Sequence, residues 1–468
     1  MSADLIATLA TAVGRDHVIT DPVDLAPFLT DWRGRYRGTA RCLVRPGSAA
    51  EVAAVVGACS AAGVPMVPQG GNTGLCGGAT PDASGEAVII ALGRLNKVRG
   101  ADPLNRTLTV EAGCTLASVQ EAAAAAGCLF PLSLASEGSC QIGGNLATNA
   151  GGVHVLRYGT TRDLVLGLEA VLPDGSLWNG LRALRKDNTG YDLKQLFIGS
   201  EGTLGIITAA SLKLFPLPVA QATAWINVAD PAAALALLAS AQSAFDARLT
   251  AFELVSEGAL DLALRHIPGT RRPTAVSAWY VLCELAAGCG QATLDSDLEY
   301  WLGDAIAKGI AADAVLAQSS SQSRSLWHLR ESLSEAQKIE GISVKHDISV
   351  PVSAIPDFLA RADSALVQAF PGVRIIAFGH VGDGNLHYNV SRPDPVRNAE
   401  LIDRQGEVHR LVHDIVHGLD GSISAEHGIG QLKRDEIRRY KSSIELALMR
   451  AVKAALDPRG VMNPGKVV

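Results

Sequence analysis

The first half of the chain alternates short apolar runs with amphipathic stretches, and glycines often separate them. The run RCLVRP (41–46) predicts a strand, and AAEVAAVVGACSAAG (49–63) predicts a helix that ends at Gly63. The run LEAVLPDGSLW (168–178) predicts a hairpin with its turn at Pro173-Asp174-Gly175. Further strands are expected at 64–69, 86–92, 106–113 and 205–214, and further helices within 1–35 and at 115–127, the latter ending at Gly127.

The pattern changes after Pro216 and Pro218. Glycine becomes rarer, Ala/Leu-rich helical stretches such as 230–245 appear, and strand-like runs at 275–285, 373–380 and 386–390 alternate with them. This mixture predicts a second, α+β domain. We expect a first domain over 1–218, with an N-terminal helix in 1–35 and a module over about 38–217. A second domain over 219–415 and a C-terminal helical segment over 416–468 should follow.

The composition and charge of the chain exclude several classes of protein. With 48% hydrophobic and 19% charged residues among 468, disorder is excluded. A net charge of −6 without basic runs argues against nucleic acid as a main partner. We find no secretory signal and no apolar stretch long enough to span a membrane, so we expect a cytoplasmic protein. The eight cysteines lack a C-x-x-C spacing and are expected to be reduced core thiols.

Three glycine clusters point to a dinucleotide cofactor. They are PQGGNTGLCGGA (68–79), SCQIGGNLATNAGG (139–152) and GSEGTLG (199–205), and they carry almost no charge. Glycine lets the backbone approach a ligand closely, and successive N–H groups in such turns bind anions. No G-x-G-x-x-G motif opens a helix, so a Rossmann site is not supported. The run GVMNPGK (460–466) is rejected as a P-loop because Val467 replaces the Ser/Thr and no helix can follow.

Two segments of the second half concentrate histidine. In FGHVGDGNLHYNV (378–390), a hairpin would bring His380 and His387 across from each other, and strand alternation would place Asn389 on the same face as His387. The loop SAEHGIGQ (424–431) adds Glu426 and His427. Two imidazoles and a carboxylate suit Zn²⁺, and also Mn²⁺, Co²⁺ or Fe²⁺.

A helix and a strand carry candidate anion-binding groups. The run 326–341 predicts a helix with Leu326, Leu329 and Leu333 on its apolar stripe and with Arg330 and Ser334 one turn apart. The run 343–350 predicts a strand in which Lys345 points away from the apolar side. Guanidinium and hydroxyl groups side by side are suited to a carboxylate.

The three glycine clusters resemble the FAD-binding module of the vanillyl-alcohol-oxidase type flavoproteins (the PCMH type). The resemblance covers nearly the whole chain and is closest to the D-2-hydroxyacid dehydrogenases, especially those that act on D-2-hydroxyglutarate. It implies an α+β fold with a two-subdomain FAD-binding module, an α+β substrate (cap) domain and a C-terminal segment that returns to a noncovalent FAD. The residues that it assigns to the cofactor are Pro68, Gly70, Gly71, Asn72, Thr73, Gly74, Leu75, Ser139, Ile142, Gly143, Gly144, Asn149, Gly151, Gly152, Gly205, Ile207 and Asn463.

The same resemblance assigns the chemistry. His380, His387 and Glu426 match metal ligands, His427 matches the proton acceptor, and Arg330, Ser334, Lys345 and Asn389 match substrate-binding residues. The implied reaction oxidises a D-2-hydroxy acid to a 2-oxo acid, with an electron-transfer flavoprotein or a quinone as acceptor and a homodimer as one possible assembly. A D-lactate or glycolate dehydrogenase, a non-catalytic flavin-binding subunit and a metallohydrolase stay open as alternatives.

Overall fold

The computed structural model describes residues 2–468 and divides into two compact units. The first unit holds residues 2–152, 159–217 and 426–468, and the second holds 153–158 and 218–425. The change in composition near Pro218 therefore coincides with a change of unit. Residues 426–468, which come last in the chain, belong to the first unit. The division of labour between an FAD-binding and a substrate domain stays a prediction.

The first unit contains three sheets. The strands are β1 Val18–Ile19, β2 Cys42–Val44, β3 Met66–Gln69, β4 Val88–Ala91, β5 Val98–Asp102, β6 Thr107–Glu111, β7 Cys128–Leu129, β8 Val165–Val171, β9 Leu177–Gly180, β10 Ile206–Lys213 and β11 Phe215–Pro216. One sheet has the order β1-β2-β4-β3, with β2, β4 and β3 parallel, and a second, antiparallel sheet has the order β5-β6-β10-β8-β9. Strands β11 and β7 pair separately.

The first unit contains the helices predicted within 1–35, at 49–63, at 115–127 and in the C-terminal segment, and two short helices that were not predicted, at 142–148 and 194–197. The helices are α1 Ser2–Val13, α2 Pro22–Leu25, α3 Ala49–Ala62, α4 Leu116–Ala125, α5 Ile142–Thr148, α7 Lys194–Phe197, α16 Arg434–Tyr440 and α17 Ser443–Leu456. Helix α3 begins after Ser48, whose side chain accepts from the Glu51 N–H, and ends at Gly63 in the left-handed conformation. Both features are standard helix caps, so the predicted helix over 49–63 is confirmed.

The second unit is built on one seven-stranded antiparallel sheet. Its strands are β12 Ala220–Val228, β13 Leu249–Ser256, β14 Trp279–Ala287, β15 Asp313–Leu316, β16 Val344–Ser349, β17 Arg374–Gly379 and β18 Asn385–Ser391, in the order β15-β12-β14-β13-β17-β18-β16. Its helices are α6 Val155–Tyr158, α8 Pro231–Phe245, α9 Glu257–His266, α10 Gln291–Ala307, α11 Ser320–Glu331, α12 Leu333–Glu340, α13 Ile355–Ala369, α14 Pro395–Asp403 and α15 Gln405–His417. The predicted hairpin of β17 and β18 is confirmed.

One predicted helix is wrong in its continuity. The run 326–341 is not a single helix, because α11 ends at Glu331, α12 begins at Leu333, and Ser332 between them has ψ −7°. The Ser332 N–H keeps the helical bond to the His328 carbonyl and also donates to the Arg330 carbonyl, so the two helices follow each other directly with one turn residue between them. The apolar stripe survives the break, since Leu326, Leu329 and Leu333 all belong to one buried cluster.

The cysteines lie largely in the core, as expected. Seven of the eight cysteines are buried, and burial raises the pKa of the Cys42 thiol to about 11 and that of Cys59 to about 12, so these two are inert core groups. Within residues 2–468, no helix combines the length and the apolar composition that crossing a bilayer requires.

Candidate active site

The three glycine clusters meet around one cavity of the first unit. The cavity has a volume of about 140 Å³. Of the predicted cofactor residues, its walls include Pro68, the loop 70–75, Gly143, Gly144, Gly205 and Ile207. Segments far apart in the sequence therefore converge on one space, as a long ligand that lies against backbone requires.

The glycines around this cavity are needed for two different reasons. A Cβ added at Gly71 would lie 2.0 Å from the Ser139 carbonyl oxygen, so two chain segments touch there and leave no room for a side chain. A Cβ added at Gly74 or Gly144 would meet no atom within 4 Å, so these two border open space. The backbone at Gly74 and Gly144 can thus contact a bound ligand directly.

Three side chains on the cavity wall have amide oxygens that need a donor. Gln69 Oε1, Gln141 Oε1 and Asn145 Oδ1 are buried and have no hydrogen-bond partner within the described chain. Buried polar atoms are nearly always hydrogen-bonded in folded proteins, so a ligand with N–H or O–H groups fits this wall. The three acceptor oxygens and the open backbone both suit FAD. Sequence reasoning missed these three residues, although all of them lie within the glycine clusters.

Six of the predicted cofactor residues lie outside the cavity wall: Ser139, Ile142, Asn149, Gly151, Gly152 and Asn463. Ile142 is fully buried, and its N–H donates to the Cys114 carbonyl. Asn149 ends α5 in the left-handed conformation. Asn463 donates through Nδ2 to the carbonyl oxygens of Gly78 and Glu201, both cavity residues. Asn463 therefore fastens the C-terminal segment to the cavity wall, whereas direct contact of the six with a cofactor stays a prediction.

Glu201 is a second residue that the sequence analysis did not single out. Its carboxylate accepts hydrogen bonds from the backbone N–H groups of Ile429 and Gly430, at 2.7 and 2.8 Å. Burial raises the pKa of this carboxyl group, although the two N–H donors oppose the shift. Because these bonds anchor the loop 426–430, they help to place His427, which lines the same cavity.

In the second unit, the predicted residues Lys345, His387 and Asn389 share one face of the β16–β18 ladder. Lys345 lies opposite Asn389, and Asp347 lies opposite His387, in the strand register. The rings of His380 and His387 have centroids 5.8 Å apart, so the predicted cross-strand histidine pair is present. Two imidazoles at this separation can bind one metal ion together.

Glu253 connects two of the predicted site residues. Its Oε1 lies 2.7 Å from His380 Nδ1, and its Oε2 lies 2.7 and 2.8 Å from Arg330 Nη2 and Nε. Burial alone would raise the pKa of Glu253, but the charges of His380 and Arg330 outweigh it and hold the pKa below the usual value. A carboxylate that accepts from Nδ1 leaves Nε2 of His380 as the nitrogen for a metal.

The position of Arg330 modifies its predicted role. The side chain is buried, and two of its nitrogens face Glu253 rather than open space. Ser334 is exposed whereas Arg330 is buried, and the boundary between α11 and α12 lies between them. Their predicted placement one turn apart on one face stays a prediction. Substrate contact by either residue stays a prediction.

Asp347 and Gln337 are further buried polar neighbours of the predicted site. Asn385 Nδ2 donates to Asp347 Oδ1 at 3.0 Å, and the same oxygen lies 4.0 Å from His387 Nδ1. Asn389 Nδ2 donates to Gln337 Oε1 at 2.8 Å, which fixes the orientation of a predicted substrate contact. Alternation along β16 could have pointed to Asp347, because it lies on the side of Lys345.

Glu426 and His427 belong to the first unit, whereas His380 and His387 belong to the second. Within its own unit, Glu426 Oε1 accepts from the Gly152 N–H at 2.8 Å. The metal site that combines residues of both units stays a prediction.

Comparison with known proteins identifies the class. A family model described as "FAD binding domain" matches residues 40–180, and one described as "FAD linked oxidases, C-terminal domain" matches residues 217–467. The chain therefore belongs to the FAD-linked oxidases, a family of flavin-dependent oxidoreductases.

Relatives that match over the whole chain show which FAD-linked oxidases it resembles. The chain is 40% identical over 474 residues to a D-2-hydroxyglutarate dehydrogenase of Xanthomonas citri pv. viticola, covering 100% of this chain and 97% of the relative. It is 39% identical to a mitochondrial D-2-hydroxyglutarate dehydrogenase of Bos taurus, covering 100% of this chain and 84% of the relative. The predicted resemblance to the D-2-hydroxyacid dehydrogenases is thereby confirmed.

A solved structure agrees on the fold. Substrate-bound p-cresol methylhydroxylase superposes with a TM-score of 0.78 at 17% identity, over 99% of this chain and 96% of that one. At this identity the likeness concerns the fold alone, and it confirms the predicted vanillyl-alcohol-oxidase type of architecture.

Proposed function

We propose that this enzyme oxidises D-2-hydroxyglutarate to 2-oxoglutarate with FAD and a divalent metal ion. The observation that carries the proposal is the match, over the whole chain, to D-2-hydroxyglutarate dehydrogenases at 37–40% identity. The cavity with its glycine loops and the histidine pair of the β17–β18 hairpin supply the chemical groups that such a reaction needs.

FAD would be held noncovalently by the glycine loops, with N–H groups of the loop 70–75 toward the pyrophosphate and the amide oxygens of Gln69, Gln141 and Asn145 as acceptors. When bound, FAD would supply the acceptor for the hydride, with its electron pair, that leaves C2 of the substrate. The protein contributes orientation and excludes water. The acceptor that reoxidises the cofactor is proposed to be an electron-transfer flavoprotein or a quinone.

His380, His387 and Glu426 would hold the metal, with zinc as the expected ion. A metal ion held there would supply Lewis acidity, which makes a nearby hydroxyl group more acidic. Glu253 supports this role because it accepts from Nδ1 of His380 and so directs Nε2 to the ligand position.

His427 would act as the general base. It takes the proton of the 2-hydroxyl group, so that the C–O bond can become a carbonyl as the C2 hydride leaves. The proton thus goes to His427 and the electron pair to the cofactor, and the product is the 2-oxo acid. The bonds from Glu201 to the backbone of Ile429 and Gly430 support this role by anchoring the loop that carries His427.

Specificity for a dicarboxylate would come from the cationic side chains. Lys345, Arg330, Ser334 and Asn389 are proposed to bind the carboxylates of the substrate. A charge-assisted hydrogen bond is worth roughly 1.5–3 kcal/mol, so one extra bond to a distal carboxylate favours 2-hydroxyglutarate over lactate by about 10- to 100-fold. We expect Lys345 to make this bond to the distal carboxylate, because Arg330 is already paired with Glu253.

Anaerobic mixing with substrates tests the function. The purified yellow protein should bleach with D-2-hydroxyglutarate much faster than with D-malate, D-lactate or glycolate, and 2-oxoglutarate should accumulate. A preference for lactate or glycolate would overturn the substrate assignment, and colourless protein that cannot bind FAD would overturn the flavoenzyme assignment.

A variant pair tests the base. His427→Ala should keep its FAD and lose most of the substrate-dependent bleaching, whereas His328→Ala, which changes an exposed histidine, should bleach normally. Normal bleaching by His427→Ala would refute the general-base role. The cytoplasm as location and a homodimer as assembly are further parts of the proposal, to be checked by fractionation and light scattering.

A further inference from the structure

Three histidines of the second unit form a cluster on the other side of β16. His346 lies on β16, and its neighbours Lys345 and Asp347 point to the opposite face of the sheet. His409 and His413 lie on α15, which packs against β16. His346 and His413 are only 2% and 3% exposed. This cluster therefore belongs to neither the cavity nor the face described above.

The nitrogen atoms of the cluster converge. One ring nitrogen from each of His346, His409 and His413 lies within 4.8 Å of the others. His346 Nε2 and His409 Nδ1 are 3.0 Å apart. His409 and His413 are spaced i, i+4, so their side chains project from consecutive turns of one helix face, and their rings lie at 5.5 Å.

Neighbouring groups fix the protonation of His346. Its Nδ1 lies 2.8 Å from the Tyr388 carbonyl oxygen. A carbonyl can only accept, so Nδ1 carries the proton and Nε2 presents its lone pair to the cluster. Metal-binding histidines show this arrangement, in which a backbone carbonyl holds one ring nitrogen and the other binds the ion. Tyr388 is itself held by its hydroxyl, which donates to Asp363 Oδ1 at 2.6 Å.

The spacing is close to that of a tetrahedral metal site. Two imidazole nitrogens at about 2.0–2.1 Å from one zinc ion are roughly 3.3 Å apart. In this cluster one nitrogen pair is 3.0 Å apart, and one nitrogen of each ring lies within 4.8 Å of the others, which is compatible with three imidazole ligands to one ion. An all-imidazole donor set suits Zn²⁺, Co²⁺, Ni²⁺ or Cu²⁺ and is unsuited to Mg²⁺ or Ca²⁺, which prefer oxygen.

We propose that His346, His409 and His413 form a second transition-metal site, with zinc as the expected ion, distinct from the site assigned to His380, His387 and Glu426. Because one ligand lies on strand β16 and two lie on helix α15, a bound ion would crosslink the helix to the strand. Because β16 carries Lys345 and Asp347 on its other face, this crosslink would also stabilise the strand that presents these two side chains. The proposal does not rest on the proposed function.

Zinc counting on the FAD-loaded, full-length protein tests the site. Protein stripped of metal and dialysed against micromolar Zn²⁺ should bind two equivalents, measured by inductively coupled plasma mass spectrometry. His409→Phe should bind one equivalent fewer and lose most of the zinc-dependent rise in melting temperature. His417→Phe, the same change at an exposed position of the same helix, should behave like the unchanged protein.

A variant of the other site separates the two proposals. His387→Ala should still bind one zinc ion at the three-histidine cluster. If the unchanged protein and His409→Phe bind equal amounts of zinc, the second site does not exist. If the unchanged protein binds a single ion that His387→Ala retains and His409→Phe loses, the second site stands and the metal assignment of the proposed function fails.

Crystals of the unchanged protein soaked in zinc test directly whether the ion binds at the three-histidine cluster. This experiment needs no variant, so misfolding cannot affect its result. An anomalous peak at the zinc edge among His346, His409 and His413 is expected. No peak there at full occupancy of other zinc positions would overturn the proposal.

Discussion

Replacing Glu253 by Gln should affect both stability and metal binding. Glu253 is fully buried and makes close contacts to Arg330 and His380, at 2.7–2.8 Å. The neutral amide would leave the guanidinium of Arg330 buried without its counter-charge. Breaking a buried ion pair in this way costs about 3–5 kcal/mol of unfolding free energy, and losing the support of a metal-binding histidine weakens metal affinity about 10- to 100-fold.

Two measurements on Glu253→Gln check these numbers. Urea unfolding followed by tryptophan fluorescence gives the loss of free energy, and competition with a zinc-binding dye gives the change in affinity. The control is Glu407→Gln, since Glu407 forms a two-pronged pair with Arg404 at 2.7 and 2.8 Å but is exposed. Solvent screens an exposed pair of this kind, so its loss should lower the unfolding free energy far less. If both variants lose the same small amount, burial does not govern the Glu253 pair, and unchanged zinc affinity would refute its role in orienting His380.

Three other perturbations have definite expected outcomes. Gly71→Ala should lower both the melting temperature and the affinity for FAD, because its Cβ would collide with the Ser139 carbonyl. Gly74→Ala is the control and should be as stable as the unchanged protein, because its Cβ would meet no atom. Equal melting temperatures of the two variants would contradict the contact between Gly71 and Ser139. Burial lowers the pKa of Lys466 to about 8, so the folded chain holds fewer protons than the unfolded chain between pH 8 and 10.5. The unfolding free energy should therefore rise over this range, by up to about 3 kcal/mol relative to Lys466→Met, and parallel pH profiles would speak against this shift. Chelation that removes all metal should abolish turnover while flavin absorbance stays with the protein, and full turnover by verified metal-free enzyme would end the Lewis-acid proposal.

Local signals predicted most of the elements because the residues that decide them are close in sequence. Gly63 ends α3, the turn at Pro173-Asp174-Gly175 joins β8 to β9, and the glycine turn after His380 joins β17 to β18. Each of these features is set within a few residues of the chain. The glycine clusters were informative for the same reason, since close backbone approach leaves a direct mark on the sequence.

The parts that were missed depend on contacts between distant residues. Glu253 is 127 positions from His380, and His346 is 63 positions from His409, so no local spacing relates them. The break at Ser332 also escaped, because the run 326–341 keeps a helical apolar stripe on both sides of it. Carboxylates that pair with buried cations can be recognised only after the fold has brought them together.

The two faces of strand β16 have different proposed roles. Lys345 and Asp347 point to the face of the proposed active site, and His346 points to the opposite face, where the three-histidine cluster lies. Side chains alternate strictly along a strand, so moving the chain by a single residue would exchange the two sets completely. Over evolutionary time this segment should therefore accept no insertion or deletion of a single residue. Its register must be preserved together with the identities of Lys345 and His346, because neither side chain can act from the wrong face of the sheet.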